Sequence, residues 1–564
     1  MAQAKKRILI IGGVAGGASC AARLRRLCER CEIILIDKGE YVSFANCGLP
    51  YYVGDVIKEQ QKLLVATPDK FRNRFNIQVK TLHEAISIDR KKKTVTIKNL
   101  KTGDELEECY DALVLSTGSR PFKPPLEGID LPGIYVLRTI PDSEKLKNAA
   151  KNARHAVIIG GGFIGLEMLE NLSRLGIDVT LIERGKQVMP PLDAEMASYV
   201  KSTLEENQIE LKLQTTVESF SQVENGLQVH CANGEVIDTD MVLLSIGVTP
   251  AAELAQQAGL EIGPRGGIVV NDILKTSDPD IWAIGDVVEV DDYILKQKHP
   301  LPLAGPANRQ GRIAAAAIIE SFNPLRQRKQ IFRGVQGTAV CEVFGMVSAQ
   351  TGVSEKVLQR VGVKDYQAIY LHPGHHVAYF PGAEPIHMKL IYSTTDGKVL
   401  GIQAVGKAGV SRRVDVVAMA IQMGATVFDL EETELCYAPQ FGAAKDPVNL
   451  AGMIAANHLR HDIEIADWTK LHEDEHLILD VRTVAEYESG HIQGAVNIVL
   501  EDLREKVTDL ETEKEVWVVC EVGQRAYYAS RLLKQQGFKV RILSGGMKTY
   551  RAFLAAGLSF GTVN

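Results

Sequence analysis

A chain of 564 residues and 61.8 kDa is too long for one hydrophobic core and implies about three to five domains. A formal charge of -6, with both signs scattered along the sequence, excludes the electrostatic footprint of a nucleic-acid or anionic-membrane binder. Nine cysteines, odd in number and irregular in spacing, argue for a reducing compartment and against a structural disulfide framework. In chain order, Lys5, Lys6 and Arg7 run straight into ILIIGG, which is too short for a signal-peptide core or a membrane span, so a cytoplasmic protein is expected. That apolar run predicts a strand. GGVAGG follows, then a helix rich in Ala and Arg, then the strand IILID ending at Asp37. Gly12 and Gly17 take the outer glycine positions of a dinucleotide-binding turn, and Val14 takes the middle one. Ten positions past Asp37 stands Cys47 in SFANCGLPYY, followed by Gly48, Leu49, Pro50, Tyr51 and Tyr52 but by no second cysteine. A reductase working through an internal disulfide needs a partner thiol a few residues on. Cys47 must therefore carry its sulfur chemistry alone.

The strand, turn, helix and strand repeat from His155 to Glu183, in AVIIGGGFIGLEMLENLSRLGIDVTLIE. Here Gly160, Gly162 and Gly165 fill all three glycine positions, for the tight turn, the approach of a pyrophosphate to the helix N-terminus, and helix–strand packing. Glu183, 23 positions after Gly160, is placed to bind a ribose 2′-hydroxyl and to repel a 2′-phosphate, which favours NADH over NADPH; Arg184 beside it blunts that preference. Further on lie STGSRP at 116–121, LSIGVTP at 244–250 and TSDPDIWAIGDVVE from Thr276 to Glu289. From about 330 to 455 strand-like runs and helices alternate without a dinucleotide motif. The polar stretch from His461 to Glu475 reads as a linker or domain edge, and beyond it LILDV, VWVVC and VRILS are the strands of a third α/β unit. Its second strand ends at another lone cysteine, Cys520 in CEVGQR.

Gly285 and Asp286 resemble the second FAD motif of flavoproteins with two dinucleotide folds, in which the Asp contacts the ribitol; FAD in the first fold and NADH in the second follow. Residues 7–455 resemble the pyridine nucleotide-disulfide oxidoreductases, and SFANCGLPYY more narrowly resembles the coenzyme A-disulfide reductases, whose single-cysteine relatives include NADH peroxidases and NADH oxidases. In peroxidases a histidine in the first glycine turn supports a sulfenic acid; Ala15 stands at that position here, which counts against peroxide. The resemblance implies that Arg23, Arg26, Ser43, Asn46 and Lys445 hold coenzyme A, and that Tyr379 and Tyr437, in a dimerisation domain, reach the thiol of the opposite subunit. Cys28 and Cys31, spaced as CxxC, lie at the end of the first helix, away from the expected flavin edge, and the remaining cysteines Cys20, Cys109, Cys231, Cys341 and Cys436 read as structural. LDVR, Glu486, GHIQGAVNI, CEVGQR and LSGGMKTY resemble a rhodanese domain, which implies that Cys520 carries sulfane sulfur while Arg525 closes its loop. Phosphatases on the related fold have one residue more between cysteine and arginine, so the shorter loop favours sulfur over phosphate.

The expected fold is α/β: an FAD-binding Rossmann-like domain over 1–150 and 276–328, an NAD(H)-binding one over 151–275, an α+β dimerisation domain over 329–458 and an α/β rhodanese domain over 462–564. The expected function is an NADH-dependent flavoprotein reductase of sulfane sulfur, acting on coenzyme A persulfide or polysulfide and releasing hydrosulfide through Cys47. Cofactors are then FAD, NADH and coenzyme A, with no metal, no membrane, no nucleic acid and a homodimer as the assembly. Alternatives are coenzyme A-disulfide reduction, NADH oxidation by oxygen, and a nonenzymatic sulfur-binding or redox-sensing module, against which the complete second glycine motif argues.

Overall fold

The computed structural model describes residues 5–323, 330–472, 475–510 and 513–558. It divides into two compact units, Met1–Ile182 with Thr215–Val335, and Glu183–Gln214 with Gln336–Asn564. In the first unit the strands Ile281–Ala283, Ala112–Leu115, Arg7–Ile11, Glu32–Asp37 and Gln78–Thr81 lie side by side in that order, all parallel. Ile8, Leu9 and Ile10 are fully buried, as are Ile34, Leu35 and Ile36, because a parallel sheet is covered on both faces and its strands read as unbroken apolar runs. The first glycine-turn helix, Ala15–Leu27, packs against Ala304–Phe322 at a crossing so close that a Cβ on Gly311 would press on Gly16 O at 2.5 Å. The late strand Ile281–Ala283 completes the sheet edge. It thereby brings Gly285 and Asp286 to the same carboxyl end as the Gly12 turn.

In a second parallel arrangement, His155–Ile159 is flanked by Asp178–Glu183 and Met241–Leu244, with Ile134–Tyr135 beyond. Both glycine motifs thus occupy the strand-to-helix turns that the sequence predicts.

The second unit contains an antiparallel sheet in the order Ala339–Val343, Met346–Gly352, Val399–Gly406, Ile386–Ser393, Tyr366–Leu371, with the helix Val410–Met423 packed on it. Lys389 alternates with the buried Met388 and Leu390 on the strand Ile386–Ser393 and is itself only 1% exposed. Its ammonium lies 2.9 Å from Asp193, 2.6 Å from Glu195 and 2.7 Å from Glu355. These three carboxylates are close enough together to hold a metal ion, and the ammonium occupies that position.

The C-terminal α/β region carries the parallel strands Val496–Asn497, His476–Asp480, Glu515–Val519 and Val540–Ile542 in that order. Its seat is tight. Ser544 Oγ accepts the Tyr370 N–H at 2.8 Å and donates to Tyr370 O at 3.0 Å, Thr549 Oγ1 meets His372 Nε2 at 2.8 Å, and Trp468 Nε1 donates to Ser544 O. Within the stretch expected to be a linker or edge, Ile465 bridges Ile542 and Trp468 is buried, so the chain is already packed there.

One reading needs correction. Cys28 and Cys31 are joined as a disulfide, their Cα atoms 5.6 Å apart, where the cysteine count argued against structural disulfides. Arg25, buried beneath the turn, donates to the carbonyls of Cys28, Glu29 and Cys31 and so shapes the short loop that lets the two sulfurs meet. Of the cysteines read as structural, Cys20, Cys231 and Cys341 are buried, while Cys109 and Cys436 are exposed.

Candidate active site

A cleft of about 1430 Å³ opens at the carboxyl end of the first sheet, lined among others by Gly12, Asp37, Cys47, Arg138, Gly285 and Asp286. That exceeds the range of about 300–1,000 Å³ usual for small-molecule pockets and suits an extended ligand. Gly12, at φ +97°, sits where a Cβ would collide with Ser116 O, and a Cβ on Gly17 would collide with Gly12 O. Asp37 accepts the N–H groups of Gly13 at 2.6 Å and Gly39 at 2.7 Å, tying the glycine turn to the end of the second strand. Burial raises its carboxyl against the lowering effect of those two bonds. Asp286 accepts from Ser119 Oγ and from Arg138, each at 3.0 Å, and the Gly285 N–H donates to Gln310 Oε1 at 2.6 Å. A glycine turn at a strand end, an acid closing the next strand and a Gly–Asp turn across one large cleft make a donor set that fits FAD.

Cys47 lies in the short turn Asn46–Gly48 and is exposed at this cleft. Despite its exposure, the surrounding walls strip enough water from the sulfur to raise the thiol. The Glu167 carboxylate adds to this, Asp286 contributes less, and the residue's own N–H and Arg138 oppose them. Glu167 is pushed up to about 7, chiefly by burial, with a hydrogen bond from Tyr51 opposing and Glu170 reinforcing. Asn46 Nδ2 donates to Arg138 O at 3.2 Å. Arg23, Arg26, Ser43, Asn46 and Cys47 line one cleft.

Arg138 and Glu167 were missed from sequence. Glu167 stands among Leu166, Met168 and Leu169, all fully buried, and an acid inside an apolar helix stretch is the signal that would have found it.

At the second turn Gly160 has φ +107°, and a Cβ on Gly165 would collide with Gly160 O. A Cβ on Gly162 would meet no atom within 4 Å, so that glycine leaves room the protein itself does not fill. Such a cradle fits a pyrophosphate approaching the helix Phe163–Arg174. Glu183 Oε1 accepts the Gly185 N–H at 2.6 Å, as Asp37 does from Gly39.

Tyr379, Tyr437 and Lys445 belong to the second unit. The two phenol oxygens are 3.1 Å apart on an exposed surface, with Tyr379 73% exposed, and their hydrogen bond raises the Tyr379 phenol. Lys445 is exposed as well.

Cys520 is buried at the end of Glu515–Val519, where its Sγ accepts the Gly523 N–H at 3.1 Å. Arg525 grips Glu486 through two bonds of 2.7 and 2.6 Å, which lowers the Glu486 carboxyl to about 2. From below, Met547 N–H donates to Cys520 O at 2.8 Å, and Gly546 packs so closely on the same carbonyl that a Cβ would collide with it.

Residues 6–313 match the pyridine nucleotide-disulphide oxidoreductase family, 338–446 its dimerisation domain and 466–553 the rhodanese-like domain. A coenzyme A disulfide reductase of Staphylococcus aureus strain JH9 is 34% identical over 448 residues, 79% of this chain and 99% of that protein. The structure of reduced CoADR-RHD from Bacillus anthracis superimposes with a TM-score of 0.94 at 43% identity, over 98% of this chain and 99% of that one. An NAD-dependent persulfide reductase from A. fulgidus superimposes at 0.88 and 37% identity, over 96% and 100%.

Proposed function

Because the chain belongs to the pyridine nucleotide-disulphide oxidoreductase family and carries a rhodanese-like domain, we propose that it reduces the sulfane sulfur of coenzyme A persulfide or a related polysulfide with NADH, releasing hydrosulfide. The observation that carries this reading is the placing of two thiols outside any disulfide, Cys47 exposed at the cleft and Cys520 at the strand end with its Sγ accepting the Gly523 N–H, each suited to one half of a sulfur transfer. Overall, RSS⁻ and NADH give RS⁻, HS⁻ and NAD⁺. FAD, when bound, supplies relay of two electrons between nicotinamide and thiol.

The rest belongs to the protein. Arg23 and Arg26, lining the cleft, bind the phosphates of coenzyme A, and Ser43 and Asn46 orient its arm toward Cys47. The Cys47 thiolate attacks the outer sulfur; a new S–S bond forms and the carrier thiolate leaves with the electron pair of the old one. Reduction then breaks the new bond, returning Cys47 to the thiolate while the released sulfur takes up a proton. Glu167, titrating near neutrality beside the thiol, is the group able to hold and deliver that proton. Asp37 and Asp286 hold FAD, and Gly160, Gly162, Gly165 and Glu183 bind NADH. Cys520 collects sulfur from a donor and passes it to a thiol carrier, and fusion in one chain raises the effective concentration of that carrier at Cys47.

Domain limits of 1–150 with 276–328, 151–275, 329–458 and 462–564 accompany this reading, as does a homodimer in which Tyr379, Tyr437 and Lys445 complete the partner's thiol site. Exposed Tyr379, Phe380, Tyr437 and Phe441 in the dimerisation domain support such an interface.

Coenzyme A-disulfide reduction is the second reading, favoured by the Staphylococcus aureus relative's name. Anaerobic NADH oxidation with coenzyme A persulfide and then with coenzyme A disulfide separates the two. If persulfide gives the larger kcat/KM and Cys47→Ser abolishes turnover, the proposal stands; a larger kcat/KM for the disulfide replaces it with thiol homeostasis.

A further inference from the structure

The Cys520 loop is built to hold one negative charge on sulfur, and the guanidinium groups described around it are already paired with carboxylates. Its Gly523 N–H points at Sγ, and the helix Gln524–Gln535 starts beside it with its positive end toward the loop. Backbone donors of this kind suit a thiolate or a persulfide. The three guanidinium groups around the loop are occupied with carboxylates. Arg525 is gripped by Glu486, and Arg551 is gripped by Glu521 through bonds of 2.8 and 3.0 Å. Arg482, almost wholly buried, is 2.8 Å from Asp480 and 3.6 Å from Glu521. Lys548 gives only its backbone N–H to Glu521 O, at 3.1 Å, while its ammonium is felt at His372 and His387, where it disfavours protonation. Three guanidinium groups thus face three carboxylates, and one of those carboxylates, Glu521, directly follows the thiol in sequence.

A dianionic donor such as thiosulfate brings a sulfonate that must leave as sulfite, and its charge needs free guanidinium or ammonium groups at the loop mouth. Resting on the reading of Cys520 as a sulfur acceptor, we infer that this loop takes its sulfur from hydropersulfides, R–S–SH, and that Glu521 selects against dianionic donors by keeping Arg551 paired. In the transfer the Cys520 thiolate attacks the outer sulfur; the Cys520–sulfur bond forms, the donor S–S bond breaks, and RS⁻ leaves with the electron pair. The products are Cys520–S–SH and RS⁻, so atoms and charge balance with no net oxidation.

The full-length protein is incubated anaerobically with cysteine persulfide or with thiosulfate. Sulfur added to the Cys520 peptide is followed by mass spectrometry, and released cysteine or sulfite is measured. The expected kcat/KM is larger for the persulfide by at least about tenfold. Glu521→Gln frees Arg551 and should raise the thiosulfate value about tenfold, a gain abolished by high salt, with the persulfide value changed less than about threefold. A wild-type preference for thiosulfate overturns the inference, as does a folded Glu521→Gln protein whose thiosulfate rate is unmoved. If that variant does not fold, the wild-type ratio of the two donors decides alone. Failure of both donors to label Cys520 overturns the sulfur-acceptor reading itself, and the inference with it.

Discussion

At Cys47 burial raises the thiol most, and the Glu167 carboxylate is the largest charge that adds to it. Glu167 raises the thiol and is itself held near neutrality, so its removal changes two ionisations at once. Glu167→Gln is expected to move thiolate formation at Cys47 to lower pH, because a negative charge that disfavours the thiolate disappears; alkylation rate against pH reads this directly. The same variant should lose the ionisation near pH 7 from the pH profile of turnover and slow release of hydrosulfide by about tenfold to a hundredfold. At Cys520 the corresponding control is geometric. Arg525→Lys keeps the charge but cannot grip both Glu486 oxygens, so persulfide formation at Cys520 should fall by about tenfold with little change in NADH oxidation by preformed coenzyme A persulfide. Cys47 and Cys520 were legible in sequence because each stands in a local motif. Glu167 was not, since its importance comes from a thiol 120 positions earlier that only folding brings near.

The strand Ile386–Ser393 shows how far one element can depend on a single charge. Lys389 is surrounded by Asp193, Glu195 and Glu355, and the same carboxylates are reinforced by Tyr370 Oη on Glu195 at 2.8 Å and by the Glu355 and Lys356 N–H groups on Asp193. Truncation to a neutral side chain of similar length leaves these acids uncompensated in a dry site. Lys389→Met should therefore cost about 3–5 kcal/mol in urea unfolding, whereas its effect on the Cys47 alkylation rate should be small. None of this was visible in sequence. The members of the cluster come from three separate segments, and an isolated lysine in an apolar strand looks like an edge feature until its partners are folded around it. The two glycine-turn units, by contrast, were read almost to the residue, because strand, turn, helix and terminal acid are consecutive and each imposes its own local pattern.

Across the whole molecule, the rhodanese-like region is seated on the dimerisation sheet through groups that must stay neutral. His372 and His387 meet Nδ1 to Nδ1 at 2.9 Å, His387 stacks on Tyr199, and Thr549 caps His372 from the helix Gly546–Ala555. Burial lowers both imidazoles, His387 to about 4 from an ordinary 6.5, and Lys548 adds to the effect. Below pH 6.5 the unfolded chain binds protons that the folded one refuses, so stability from this seat is present above that pH and is lost as pH falls toward 4. The loss for His387 alone is on the order of 3 kcal/mol. Thermal unfolding followed by tryptophan fluorescence should show it between pH 6.5 and 4, and His387→Gln should flatten the slope. The order of domains along the chain could be read from motifs, but this seat could not, because it is made by residues of three regions that are unremarkable singly.

The edge strand Ile281–Ala283 has a consequence for biosynthesis. The ribosome delivers Ala112–Leu115 long before the strand that lies against it, so for roughly ten to thirty seconds the nascent chain exposes an unpaired, wholly apolar sheet edge. Such an edge invites intermolecular pairing. The Gly285–Asp286 turn is missing during the same interval, so flavin captured by the emerging polypeptide would have only the Gly12 side of its cradle. Chaperone protection should matter most while residues 116–280 are being translated, and flavin starvation should lower yield only after that point.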